Sequence, residues 1–188
     1  AVTTKDQELA DLHKRLGLYE RLATERLDPP VWLVPKKTTK GHSGIPCLLL
    51  TDIHWDEVIK PEQVDGVNAY NRQIAEQRLK RACEGTITIA RDYWAGLAYE
   101  GLQIFLGGDL LSGVIHEELK ETNEAQIMES ILSILEPLEA GINLLAQDFK
   151  RVHIAAVVGN HGRNSKKPKA KNRAQDNFDW LVYKLIER

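Results

Sequence analysis

The sequence has only two cysteines, Cys47 and Cys83, with no Cys-x-x-Cys pair and no Cys/His grouping. This excludes a disulfide scaffold and points to two reduced, partly buried thiols in a cytoplasmic protein. No apolar run approaches the roughly 20 residues that span a bilayer. No signal peptide is visible either, so no membrane partner is expected. Neither sign of charge is in excess. The formal net charge is −2, so any affinity for nucleic acid must come from local charge. There is no internal repeat, and the only biased segment is 163–173. What remains is an ordinary soluble balance, 43% hydrophobic and 28% charged in 188 residues, long enough for one domain with a sizeable core. The chain starts at Ala1 and stops at Arg188 in helix-like text, which reads as a processed chain or a fragment of a longer protein.

Residues 5–27 read as a helix. Leu9, Leu12, Leu16 and Tyr19 follow a 3-4-3 spacing opposite a charged face, and Pro29 and Pro30 stop it. Such a helix packs on its own domain or serves as a homodimer arm. Residues 35–45 read as a polar loop. From there an α/β pattern begins. Strands are expected at 46–51, 102–106 and 152–158. Helices are expected at about 68–98 (broken near Gly85), about 121–149 (bent or split by Pro137 and Gly141) and 174–187. The last carries Phe178, Leu181, Val182 and Leu185 on one face. Strands alternating with helices predict parallel neighbours covered by helices.

Each strand runs into unusual residues. The first delivers Asp52 and His54, the second Asp109 after Gly107 and Gly108, and the third Asn160 and His161 after Gly159. Open α/β sheets bind ligands beyond the carboxyl ends of their strands. Asp52 and His54 stand at i and i+2, so an extended backbone would point both the same way. The glycines let backbone pass close to a ligand. Carboxylate, imidazole and amide oxygen form a mixed ligand set that suits Mn, Fe or Zn better than Ca.

The order Asp52-Ile-His54, Gly107-Gly108-Asp109, Gly159-Asn160-His161 resembles the calcineurin-like metallophosphoesterase family. The resemblance spans roughly 46–162. The text around the motifs resembles the bacteriophage-encoded members, related to the DNA-repair nuclease branch. The resemblance implies an α/β/β/α-layered sandwich, with a helical extension over 1–34 and the phosphoesterase domain over 35–188. It implies two divalent metal ions, Mn2+ first, with Fe, Zn or Mg as alternatives. Asp52 and His54 would bind one metal, Asp109 both, and Asn160 the second, while His161 would face the scissile phosphate as the catalytic residue. Two cations need a shared anion, and a carboxylate is a good bridge. The family places an acid after Gly-Asn-His, where this chain has Gly162. It also takes ligands from later histidines, and no histidine follows His161. The domain is therefore expected to be incomplete at its C-terminus.

The stretch 163–173 holds Arg163, Lys166, Lys167, Lys169, Lys171 and Arg173 and no acid. A basic run is a mobile solvated loop or a phosphate contact, and its position directly after His161 favours a DNA strand. Few aromatics lie nearby, so base stacking is not indicated. His116 reads as an exposed histidine at a helix start, with contact to substrate or metal as the other reading. His153 reads as structural, and His13 and His42 as surface residues. Asp56 and Glu57 are solvated or hydrogen-bond His54. Asn68 and Asn71 are helix caps. The expected function is hydrolysis of phosphodiester bonds in DNA, in the cytoplasm of a cell or of a phage's host. A phosphatase or nucleotide hydrolase using the same site, and a non-catalytic scaffold, are the alternatives.

Overall fold

The structure is a computed structural model that describes residues 5–7, 9, 10, 12, 13, 16, 44–94 and 98–187. The chain divides into two units, Ala1–Val34 and Pro35–Arg188. In the first, the described residues are helical, and Leu9, Leu12 and Leu16 are exposed. Tyr19, Pro29 and Pro30 lie outside the described residues, as do His42 and most of the 35–45 loop.

In the second unit the three expected strands form. They are β1 (Cys47–Leu50), β2 (Leu102–Leu106) and β3 (Val152–Ala156). They make one parallel sheet in the order β1-β2-β3. The helices are α1 (Arg72–Thr88), α2 (Glu117–Thr122), α3 (Ile127–Phe149) and α4 (Phe178–Ile186). Parallel neighbours need crossovers. Helix α1 carries the first and α3 the second, and the two pack on each other. The unit is thus mixed α/β with a parallel three-stranded sheet.

Side-chain alternation sorts the sheet into two unlike faces. Leu50, Leu102, Ile104 and Leu106 are buried, in one core with Leu79, Ile131, Ile134, Leu138, Leu145 and Val182 from the helices. The other face carries the register row Leu49, Phe105, Ala155, with Val157 beyond it. Leu49 is 63% exposed, Phe105 43% and Val157 62%. His153 lies on this face, its Nδ1 2.7 Å from the Gln103 side-chain oxygen.

The helix ends differ from expectation in physical ways. Helix α1 starts at Arg72, where the Asn71 side chain accepts the Ile74 N–H at 2.9 Å. Asn68 instead accepts from Arg78 at 3.4 Å. The helix runs through Gly85 and ends in a π-helical turn, Ile89–Tyr93; residues 95–97 lie outside the described residues. One glycine costs about 1 kcal/mol in a helix, too little to break this one. Helix α3 likewise runs unbroken through Pro137 and Gly141, preceded by the separate short α2. A helix-interior proline costs about 3 kcal/mol. Burying each of Ile131, Ile134, Leu138, Leu145 and Phe149 returns about 1.5–3 kcal/mol, so burial wins. At Gly141 a Cβ would lie 3.0 Å from Cys83 Sγ, a tight fit where α1 and α3 meet.

Both thiols are free, Cys83 buried and Cys47 exposed. Burial pushes the Cys83 thiol up to about 11, so almost none is thiolate at pH 8. A thiol reagent at pH 8 is expected to modify Cys47 quickly and Cys83 only on unfolding. Fast reaction of both in the native protein would contradict the packing of α1 on α3.

Candidate metal centre

All three motifs lie at the carboxyl ends of adjacent parallel strands. Beyond β1 and β2 the backbone pairing continues without regular strand. Asp52 N–H donates to the Gly108 carbonyl at 3.1 Å, His54 N–H to Asp109 at 3.0 Å and Trp55 N–H to Leu110 at 2.8 Å. These bonds lay the Asp52–His54 segment directly alongside Asp109.

The expected extended geometry of Asp52 and His54 is corrected by the structure. Asp52 (φ 53°), His54 (φ 49°) and Asp109 (φ 51°) all adopt left-handed backbone. Each such residue costs roughly 1–3 kcal/mol and persists only where its surroundings enforce it. Three at one place concentrate strain where the candidate ligands converge. One ligand atom from each of Asp52, His54 and Asp109 lies within 4.8 Å of the others, the one such group of three among the described residues. His54 Nε2 is 3.8 Å from Asp52 Oδ1. Its Nδ1 is buried without a hydrogen bond and 3.6 Å from Glu57 Oε2. Glu57 is thus within ion-pair reach of the ring but beyond hydrogen-bond length. Two carboxylates and an imidazole are a donor set that fits a divalent cation of the Mn, Fe or Zn type.

His161 stands against this group. Its ring centroid is 4.5 Å from that of His54, edge to face. Its backbone N–H donates to Asp109 Oδ1 at 2.6 Å. Its Nδ1 is 2.8 Å from the Ser112 carbonyl oxygen. A carbonyl only accepts, so Nδ1 carries the proton and Nε2 is left for other chemistry. Asn160 is exposed between Gly159 and His161, and its carbonyl accepts from the Arg163 side chain at 2.8 Å. His116, at the start of α2, is exposed as expected, yet its ring centroid lies 5.3 Å from that of His161. A cavity of about 340 Å³ opens beside Asp52 and His54, lined also by Glu57, Asn68, Tyr70 and Arg78. Arg78 lies over the Tyr70 ring, 5.0 Å from its centroid.

No family model, curated protein or solved structure matches the chain.

A Cβ on Gly108 would fall inside the backbone of Gly159, and one on Gly113 inside that of His161. A Cβ on Gly159 would strike the Asp109 carboxylate, so glycine at 108 and 159 lets the loops carrying Asp109 and Asn160 touch. Asp56 neither bonds His54 nor faces solvent. It is buried and paired with Arg72, which also lies 3.6 Å from Glu124 and from Glu129.

Asp179 was not anticipated. It is fully buried on α4, on the same side of the helix as Val182. Its carboxylate accepts three backbone N–H groups, from Asp109 at 3.0 Å, Leu110 at 3.2 Å and Gly159 at 2.9 Å. Burial raises its carboxyl above the ordinary range, against the pull of the Gly159 and Asp109 N–H bonds. Asn177 caps the helix, accepting the Asp179 N–H at 2.8 Å, and donates to the Gly159 carbonyl at 2.9 Å. A side chain at 162 would strike Asn177 and come within 3.0 Å of the Asp179 carboxylate, which is why Gly162 stands there. The sequence signal was a carboxylate in the second position of an apolar helix, on its core-facing stripe.

The basic segment leaves from this clamp and returns to it. Arg163 bridges to Asn177, and Phe178 N–H donates to the Gly162 carbonyl at 2.6 Å. Lys167, Lys169 and Lys171 are exposed. Lys166 is paired with Glu117, whose carboxyl that contact holds below its ordinary value.

Proposed function

We propose that this chain is a calcineurin-like phosphoesterase domain that hydrolyses phosphodiester bonds in DNA. The observation carrying this reading is the convergence of Asp52, His54 and Asp109, all in left-handed backbone, with His161 bonded to Asp109. Asp52 and His54 would hold one divalent cation, Asp109 both, and Asn160 the second. The cations would acidify a water and neutralise phosphoryl oxygens. With His161 Nδ1–H committed to Ser112, Nε2 is the atom that would carry a proton to the leaving oxygen. The exposed face of Leu49, Phe105 and Val157 is where a second sheet would pack in the proposed sandwich.

The basic loop supports a polyanionic substrate. It starts two residues after His161, and its ends are tied beside Gly159. Lys166 must leave Glu117 before it can bind a phosphate. Mn2+-dependent hydrolysis of labelled single- and double-stranded DNA, run beside a small phosphomonoester, tests the reading. DNA cleavage is the expected result. Hydrolysis of the monoester alone would move the assignment to a phosphatase. Replacing Lys166, Lys167, Lys169 and Lys171 by Gln should flatten the salt dependence of DNA affinity, by roughly 0.9 in log–log slope per lost phosphate contact on duplex. Unchanged affinity and slope would remove the loop from the substrate site.

A further inference from the structure

We propose that Asp179 is a positioning residue that sets the spacing of the two loops carrying Asp109 and Asn160. The inference rests on the metal-centre reading above and adds a residue from a different element. Asp179 Oδ2 accepts from Asp109 N–H and from Gly159 N–H together, and Oδ1 accepts from Leu110 N–H. One rigid carboxylate thus bonds the backbone of the candidate bridging ligand and the residue just before Asn160. The Asn177 side chain adds the Gly159 carbonyl to the same clamp. By contrast, the segment carrying Asp52 and His54 is tied to the Asp109 loop by backbone bonds, from Asp52, His54 and Trp55 N–H. The clamp therefore governs the Asp109–Asn160 pair more than the Asp52–His54 pair.

Partners that orient metal ligands commonly change metal affinity by 10–100-fold when removed. Asp179→Asn keeps the shape but turns an amide NH2 toward at least one N–H donor. Calorimetric titration with Mn2+ should show affinity falling at least about tenfold, with the second equivalent lost first. Val182→Ala, on the same helix and equally buried, is the control. It should lower Tm while leaving Mn2+ affinity unchanged.

The unaltered protein supplies a second readout. Titrating it with Zn2+, a diamagnetic probe, should shift the amide resonances of Asp109, Leu110 and Gly159 along one binding curve. Asp179→Asn that loses stability like Val182→Ala yet binds Mn2+ as the parent does would reduce Asp179 to a fold residue. So would amide resonances that ignore Zn2+ while the metal binds. Failure of the parent chain to bind either metal would sink the metal-centre reading itself, and this inference with it.

Discussion

Asp109→Ala is expected to reduce Mn2+-dependent DNA hydrolysis by more than about a hundredfold, because even partners one shell further out cost 10–100-fold. Two effects are mixed in that variant. Alanine removes the carboxylate, and it also strains a left-handed position and drops the acceptor for His161 N–H. Asp109→Asn separates them. Asparagine tolerates left-handed backbone and keeps an acceptor oxygen, but it lacks the charge a bridge between two cations needs. Both variants should lose activity alike, while Asp109→Asn should melt close to the parent. Activity retained by Asp109→Asn, measured as the single-turnover rate on labelled DNA, would refute the bridging role of Asp109.

Gly108→Ala is expected to destabilise the domain by about 2–4 kcal/mol. Gly108 sits at φ +87°, and an added Cβ would come 2.8 Å from the Val158 carbonyl carbon and closer still to Gly159. Backbone strain accounts for roughly 1 kcal/mol or more, and forcing two backbones apart adds about 1–3 kcal/mol. Gly66→Ala isolates the strain. Gly66 has φ +75° but open space where the Cβ would go, so only the smaller cost applies. Urea denaturation of the two variants measures the difference. Equal losses would mean that the close contact between the β2 and β3 loops contributes nothing. The Gly108 variant should also weaken Mn2+ binding, since the same contact holds Asp109 against Gly159 and His161.

Much of the layout was legible in the sequence. Apolar runs of four or five residues ending in Asp-x-His, Gly-Gly-Asp and Gly-Asn-His placed the three strands and their tips. Those patterns are local, and the parallel order follows from the helices between them. The helices run through Gly85 and Pro137, where local propensity alone predicts a break, because it does not contain the burial that outweighs it. The fate of Asp56 was equally unreadable, since its partner Arg72 comes from the next helix.

The sequence by itself determined which residues stand at the three strand tips and which chemistry they offer. Only the tertiary structure decided how they meet. It put Asp52, His54 and Asp109 in left-handed backbone, committed His161 Nδ1 to Ser112, and laid one face of the sheet open. It also brought Asp179, 70 positions along the chain from Asp109, underneath both loops. The reason is physical. Propensity and periodicity act over one turn or one strand, whereas a buried carboxylate finds its N–H donors only once distant segments have packed and water has been excluded.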